Sequence, residues 1–358
     1  MVKVLFEGSI FLHQNLGGIS KYISKLNENL GSNNIKSKIF CPLTINNYLT
    51  KEKKNILFFF KFKKIPRFLR KFYFTINNIL TIFYSLYYRP DVIHFSYYNN
   101  FLAKYLKIPY ILTVYDLIHE KKNYKKNFFD KKKSIDKAKH IICISNKTKK
   151  DLIKIYKVNK KKVSVIYLGT ENVKSKKIKK IYNDKYILFV GSRHRYKNFD
   201  NFIKAYSKSK FLKKNYNIVC FGGGNFKIDE IDLFKRLKIE NQINLIEGEE
   251  SLMQQYYRNA SLFVTVSISE GFGLTPFEAM NNGCPVVCSN IEVFKENLQE
   301  CCQFVNPLNL NSIKFGIENI LQNKKKRQKL ILKANKIVKN FTWKKTTSQT
   351  AEIYKKII

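Results

Sequence analysis

Residues 267–289 read SISEGFGLTPFEAMNNGCPVVCS. The apolar run Ser261 to Val266 before them predicts a buried strand that delivers this loop. Glu270 precedes Gly271-Phe272-Gly273, so a carboxylate rides on a loop whose glycines permit close backbone approach or positive φ. Thr275 reads as an N-cap, with Pro276 at the first helical position. Asn281-Asn282-Gly283 supplies the stop and Pro285 enforces it. Val286 to Cys288 reads as a short buried strand. The unit is therefore strand, glycine loop, helix N-terminus, strand. A helix N-terminus behind a glycine loop suits a phosphate. Two carboxylates beside it, Glu270 and Glu278, can accept hydrogen bonds from hydroxyls. A ligand that carries both phosphate and hydroxyls is a nucleotide sugar. Glu278 has a second reading, because Thr275-Pro276-Phe277-Glu278 is also the pattern of a capping box.

Working outward, the same alternation recurs. Residues 2–7 predict a strand, Asn15-Leu16-Gly17-Gly18 a loop, and Ile19 to Leu30 a helix closed by Gly31. This opening suits a nucleotide-binding α/β domain, although Gly17-Gly18 is not G-x-G-x-x-G. Asp91 to Phe95 predicts a strand and Asn100 to Lys107 a helix. The strand Tyr110 to Val114 ends in Tyr115-Asp116-Leu117-Ile118-His119-Glu120. Asp116 and His119 thus fall at the carboxyl end of a strand, where α/β ligands bind. Ile141 to Ile144 is a further strand, and Ser145 caps a helix over 146–156. After the strand Val163 to Tyr167, residues 171–184 are rich in lysine, lack an apolar period and mark a linker.

The pattern then restarts. Tyr186 to Val190 predicts a strand, followed by Gly191-Ser-Arg193-His-Arg195-Tyr-Lys197-Asn198 and a helix over 199–207. Cations on a loop between strand and helix suit a diphosphate. Asn217 to Phe221 ends in Gly222-Gly223-Gly224, a turn where backbone can approach a ligand. A strand at 243–246, a helix at 251–258, helical residues over 309–339 and a last helix to Ile358 complete the chain. Strands alternating with helices twice over mean α/β with parallel sheets.

The 358 residues suffice for two domains with separate cores. Met1 to Phe6 passes straight into Glu7-Gly8, a first strand and turn rather than a signal peptide. Seven cysteines without C-x-x-C or zinc spacing read as free thiols of a reducing cytosol. The 67 basic and 26 acidic residues leave a net charge of +41. That balance raises nucleic acid and anionic membranes as partners. The lysines are spread among Asn, Ile, Phe and Tyr, as a biased genome composition also produces, and no nucleic-acid module is present. Residues 51–73, KEKKNILFFFKFKKIPRFLRKFY, mix cations with Phe, Leu and Ile, which suits an anionic bilayer surface or a lysine-rich loop. Phe72 to Tyr88 predicts a helix packed in the first domain.

The stretch around Glu270 and Glu278 resembles the signature of retaining GT-B-fold glycosyltransferases of family 4, group 1 type. Their pattern is Glu, seven residues, Glu, written around EGFGL-P-x-EAM-x-x-G-x-PV. The family usually has proline directly after GFGL, where this chain has Thr275 and then Pro276. The resemblance implies two Rossmann-like domains facing across a cleft: an acceptor domain over 1–172 and a nucleotide-sugar domain over 173–340. A C-terminal helix over 341–358 would return to the first domain. It implies catalytic roles for Glu270, Arg193 and Lys197, with Arg195 as a spare cation. Glu278 would hold the ribose, and Gly271, Phe272, Gly273, Leu274 and Gly222 would line the donor. Gly17, Gly18, Asp116 and His119 would serve the acceptor or a phosphate. Tyr115 stands where the family often has histidine before Asp116. No D-x-D is present, so no metal and no cofactor are expected beyond a GDP- or UDP-linked donor sugar.

The implied activity is retaining transfer of a hexosyl group, with mannosyl from GDP-mannose as one case. The acceptor would be a glycan, lipid-linked, in surface polysaccharide or lipopolysaccharide synthesis. The implied location is cytoplasmic, peripheral at the inner face of the membrane through residues 51–73, without nucleic acid. The alternatives are a GT-B-fold nucleotide-sugar epimerase and a basic nucleic-acid-binding protein.

Overall fold

Parallel pairing governs all the sheets in the computed structural model of the chain. The structure describes residues 1–50, 52–121, 125–171, 181, 182 and 184–358, with the side chains of 119 and 121–130 also outside the description. The chain divides into two units, Met1–Gly169 with Trp343–Ile358, and Thr170–Thr342. Most of the expected linker, and Lys51, lie outside the described residues.

The first unit carries β1 (Val2–Glu7), β2 (Ile35–Phe40), β3 (Leu43–Thr44), β4 (Ile56–Leu57), β5 (Phe60–Lys61), β6 (Val92–Phe95), β7 (Tyr110–Val114), β8 (His140–Cys143) and β9 (Val163–Val165). Seven of them form a sheet in the order β4-β2-β1-β6-β7-β8-β9, while β3 and β5 pair separately. Strands β6, β7 and β8 are buried along their whole length, as a parallel sheet covered on both faces requires. Leu5, Ile93, Phe95, Leu112 and Ile141 contribute to the core. Ser145 caps the helix Asn146–Tyr156 as its sequence predicts, accepting from the Thr148 amide.

The last helix, Trp343–Ile357, belongs to this unit although 173 residues separate it in sequence. Its Tyr354 hydroxyl meets His94 Nδ1 at 2.5 Å, and His94 Nε2 meets Thr113 Oγ1 at 2.8 Å. Burial pushes the His94 imidazole down to about 3, so it is neutral there.

One helix packs in this unit as expected and buries polar side chains there. The helix predicted over 72–88 spans Arg70–Tyr88, and the side chains it buries are Asn77, Asn78, Thr81 and Ser85. Asn77 explains the orientation: it donates to the Leu43 carbonyl and accepts from the Leu43 amide, both at 2.9 Å.

The second unit carries β10 (Tyr186–Val190), β11 (Asn217–Phe221), β12 (Ile243–Ile246), β13 (Leu262–Thr265), β14 (Val286–Ser289) and β15 (Gln303–Val305). The sheet order is β12-β11-β10-β13-β14-β15. Ile187, Phe189 and Val264 pack against Phe199, Phe202 and Ile317 from the flanking helices. Residues 309–339, expected to be helical, form two helices, Leu310–Gln322 and Lys324–Ile337, because Asn323 breaks the first and caps the second. Both units are α/β with parallel sheets.

Candidate functional site

The strand order of the second unit reverses at β10, which has β11 on one side and β13 on the other. In open α/β sheets ligands bind outside the carboxyl ends of the strands at such a point. The loops leaving β10 and β13 meet there. The Ile268 amide donates to the Tyr196 carbonyl at 2.7 Å, and Asn198 Nδ2 donates to the Val266 carbonyl at 3.0 Å. These bonds place Lys197 beside Glu270, and Lys197 Nζ donates to Glu270 Oε1 at 2.7 Å. Both side chains remain partly exposed, so the pair borders solvent. Arg195 is exposed and takes a left-handed backbone, φ 52°.

Arg193 is placed differently. Its guanidinium is buried and faces its own protein: Nε donates to Glu230 Oε1 at 2.8 Å, Nη1 to the Gly222 carbonyl at 2.9 Å. Nη2 donates to the Gly224 and Asn225 carbonyls at 2.7 and 3.0 Å. The same group lies over the Phe226 ring, 4.7 Å from its centre. Gly222, Gly223 and Gly224 all have positive φ, and a Cβ on Gly223 would sit 2.4 Å from the Gly191 carbonyl oxygen. Arg193 therefore ties the triple-glycine turn to the β10 loop. Glu230 is the residue that sequence reasoning missed here. Its signal is an acid in the first turn of the helix Ile228–Arg236, directly after the glycine turn.

The helix after Glu270 starts earlier than its sequence suggests. It spans Leu274–Asn281 with Gly273 as its N-cap, so Thr275 is not the cap and Pro276 is the third helical residue. Proline is tolerated there because first-turn amides have no partner within the helix. Gly273 has φ 98°, and a Cβ on it would collide with Phe294 at 2.5 Å, so glycine alone fits this entry. The early start removes the capping box, since Glu278 lies five residues past the cap rather than three. Instead Tyr257 OH reaches Glu278 Oε2 at 3.4 Å. Burial first, then the Glu278 carboxylate, pushes the Tyr257 phenol well above its ordinary range. Tyr257 carried no signal in the sequence beyond its place in an amphipathic helix.

Phe272 is buried, its ring stacked on Phe277 at 5.3 Å and edge-on to Phe341 at 6.0 Å. Asn297 Nδ2 holds its carbonyl at 3.0 Å. Phe272 thus anchors the loop by its side chain, while Gly271 and Gly273 leave backbone on either side. Leu274 is the first helical residue and is half-buried.

In the first unit, Gly17 caps the helix Gly18–Asn29, and a Cβ on Gly17 would collide with the Gln14 side chain at 2.4 Å. Gln14 Oε1 in turn accepts from the Ser20 amide at 3.2 Å, serving the first turn. Asp116 follows β7 and its Oδ1 accepts from the Ile118 amide at 3.1 Å. Burial, then the Asp116 and Glu120 carboxylates, pushes the Tyr97 phenol up to about 12. His119 lies in the short helix Ile118–Lys121, with its side chain outside the described residues.

Glu7, at the end of β1, is a second residue whose role the sequence did not disclose. It is buried and accepts from the Ser9 amide at 2.9 Å, from the Ser9 hydroxyl, and from Ser96 N and Oγ at 2.7 Å each. It fastens the β1 loop to the β6 loop. Among the described residues no group of three or more His, Cys, Asp or Glu side chains is placed to hold a metal ion.

Two family models match the chain, one after the other: Glycosyltransferase Family 4 over residues 16–172 and Glycosyl transferases group 1 over 170–337. The O-antigen chain mannosyltransferase RfbU of Salmonella typhimurium is 34% identical over 194 residues, 53% of each chain. The N-acetylgalactosamine-N,N'-diacetylbacillosaminyl-diphospho-undecaprenol 4-alpha-N-acetylgalactosaminyltransferase of Campylobacter jejuni is 29% identical over 211 residues, 57% of each chain. These matches span somewhat over half the length of the relatives. The structure of sucrose-phosphate synthase from Thermosynechococcus elongatus superposes with a TM-score of 0.80 over 99% of this chain and 98% of that one, at 16% identity. The fold is that of the GT-B glycosyltransferases.

Proposed function

The chain belongs to glycosyltransferase family 4, group 1, and from that membership we propose that it transfers a hexosyl group from a nucleotide-diphosphate sugar to a glycan acceptor. The observation that carries the reading is the Lys197–Glu270 pair, set at the reversal of strand order and beside the entry to the helix Leu274–Asn281. A cation there faces a diphosphate, a carboxylate accepts sugar hydroxyls, and the helix entry adds amide donors.

The reaction retains configuration. The acceptor hydroxyl oxygen bonds to the anomeric carbon on the face that the diphosphate leaves, the bond from that carbon to the phosphate oxygen breaks, and the departing phosphate takes the hydroxyl proton. Lys197 and the helix terminus stabilise the charge gathering on the leaving group without a metal ion. Glu270 orients the sugar and Glu278 the ribose. Arg193 acts one step back, holding the Gly222–Asn225 turn in the shape a bound nucleotide meets. In the first unit Gly17, Gly18, Asp116 and His119 serve the acceptor.

The acceptor proposed is a growing lipid-linked glycan of surface polysaccharide or lipopolysaccharide, because the RfbU and Campylobacter relatives are named for such substrates. Mannosyl from GDP-mannose is the first donor to test, with UDP-sugars next. Among the described residues no helix is long and apolar enough to cross a membrane. The proposed location is the cytoplasmic face of a membrane, reached through the basic and aromatic residues 51–73. Thermal-shift screening with GDP, UDP and ADP selects the nucleotide. Sugar transfer is then followed with and without excess EDTA. Product formation unaffected by chelation supports the reading. Loss of activity that manganese or magnesium restores refutes its metal independence. Isomerisation of the donor sugar without transfer refutes the transferase reading itself in favour of an epimerase.

A further inference from the structure

The helix Arg70–Tyr88 packs Phe74, Ile76, Leu80 and Ile82 against the hydrophobic clusters of its unit, yet the side chains it buries fully are polar and one apolar stripe is left outside. Asn77, Asn78, Thr81 and Ser85 face inward, and all four are buried. On the opposite side Phe72, Ile79, Phe83 and Leu86 face solvent, at 59, 42, 65 and 67% exposure. Those four positions step by 7, 4 and 3 residues, which keeps them on one narrow stripe of a 3.6-residue helix. A soluble domain ordinarily turns such a stripe toward its core.

Rolling the helix over does not relieve the exposure, because Asn77 and Asn78 bond to other elements of the unit. Asn77 brackets the Leu43 backbone, Asn78 Oδ1 accepts from Asn99 Nδ2 at 2.8 Å, and Thr81 and Ser85 bond back to the helix carbonyls at 2.7 Å. The Thr81 and Ser85 bonds stay within the helix and turn with it, but turning Asn77 and Asn78 into solvent would break their buried hydrogen bonds to Asn99 and to the Leu43 backbone and leave Leu43 unpaired. The fold therefore fixes the apolar stripe outward.

The charge around the stripe selects what covers it. Between Lys61 and Tyr88 the chain has six cations and no acid. Lys61, Lys63, Lys64, Arg67 and Lys71 are exposed beside the amino end of the stripe, and Phe68 among them is 81% exposed. A second copy of this chain docking face to face would bring these cations against their own equivalents. An anionic lipid surface complements them, and its acyl boundary accepts the phenylalanines. The helix, about 28 Å long at 1.5 Å per residue, lies along the surface.

We propose that the outward stripe Phe72–Ile79–Phe83–Leu86 inserts into the acyl boundary of an anionic bilayer, with the cations of residues 61–71 on its headgroups. The inference rests on the membrane-surface reading above and deepens it, moving the apolar part of the contact from residues 51–73 onto the outer face of the helix.

The test uses the full chain and vesicles of phosphatidylglycerol with phosphatidylcholine, against pure phosphatidylcholine. Three proteins accompany wild type: a stripe variant (Phe72→Ser, Ile79→Ser, Phe83→Ser, Leu86→Ser), a charge variant (Lys61→Gln, Lys63→Gln, Lys64→Gln, Lys71→Gln) and the single change Phe83→Trp. Wild type should sediment with anionic vesicles only. The stripe variant should lose at least ~100-fold in partitioning at unchanged melting temperature and unchanged transfer to a water-soluble acceptor. Fluorescence at Phe83→Trp should be quenched by brominated lipid above the background of Trp343, which is buried.

Wild-type partitioning of the stripe variant overturns the inference. Loss of binding only in the charge variant, with Phe83→Trp unquenched, also overturns it and leaves surface adsorption through residues 51–73 standing. A dimer that the stripe variant dissolves, without vesicle binding by wild type, overturns both membrane statements. Because transfer to a soluble acceptor is measured in parallel, none of these outcomes is confused with failure of the transferase reading.

Discussion

Glu270 and Lys197 neutralise each other across 2.7 Å while both border solvent, and that makes their replacements diverge. Lys197→Met removes the cation proposed to meet the diphosphate. A charge-assisted hydrogen bond of this kind contributes about 1.5–3 kcal/mol, or roughly 10- to 150-fold in affinity. Binding of GDP or UDP should weaken by that factor, and turnover should fall with it. Glu270→Gln keeps the shape of the side chain and removes the competing anion. Lys197 then has no carboxylate here competing with the diphosphate, so the affinity for nucleotide diphosphate should hold or rise, by up to about tenfold. Turnover should nevertheless drop by at least ~100-fold, because the lost acceptor belongs to the donor sugar and acts as the sugar moves. The ion pair itself contributes little stability, ~1 kcal/mol or less for a pair at this exposure, so neither melting temperature should move far. Calorimetric titration of GDP and UDP into both variants, beside single-turnover transfer, separates the two effects. Weaker nucleotide binding in Glu270→Gln, equal to that in Lys197→Met, would refute the assignment of separate partners. Wild-type turnover in Glu270→Gln would remove the main support for the proposed site.

Three further outcomes are expected. Glu278→Gln should weaken nucleotide diphosphate binding by roughly 10- to 150-fold, the worth of a charge-assisted acceptor; a lowered melting temperature with unchanged affinity in calorimetry would instead make Glu278 a partner of Tyr257 alone. Arg193→Met leaves Glu230 buried without its cation and three carbonyls unsatisfied, so urea unfolding should show a loss of about 3–5 kcal/mol, part of which Glu230→Met in the same chain restores. A variant as stable as wild type would show that the Arg193 cluster is not holding the turn. His94 is held down to about 3 against an ordinary 6.5, so between those values the unfolded chain binds the extra proton. Its contribution is whole above pH 6.5 and is lost as pH falls, at about 1.4 kcal/mol per unit. His94→Gln should flatten the acid side of the stability curve by that slope, and parallel curves from pH 6.5 to 4 would refute it.

The second unit was legible because its signals are local. The strand Tyr186–Val190, the helix Phe199–Ser207 and the strand Asn217–Phe221 have the limits their apolar runs and flanking glycines suggest. The helix after Glu270 starts two residues early, since its start is decided by Phe294 and Asn297, which close on Gly273 and Phe272 from a later helix. Pattern alone cannot carry that contact. The two cations of the β10 loop were equally indistinguishable in sequence. Arg193 turns inward because Glu230 and three carbonyls await it 29–37 residues later, whereas Lys197 pairs with Glu270 at the rim.

The first unit hides more, and for a different reason. Its defining polar groups work inward: Glu7 joins two loops, His94 joins two strands to the last helix, and Asn77 grips the Leu43 backbone. A reading by hydrophobic period assumes that apolar side chains mark the buried face, and the helix Arg70–Tyr88 departs from that assumption. The sequence places the helix in the first unit and does not say which of its apolar positions face outward. The stripe is exposed because Asn77 and Asn78 have partners in Leu43 and Asn99 that no phenylalanine could replace. A helix that buries Asn77 and Asn78 and leaves Phe72 and Phe83 outside keeps that arrangement at a cost in water. On the proposal above, that cost is removed where an anionic bilayer takes the place of water, with the cations of residues 61–71 on its headgroups.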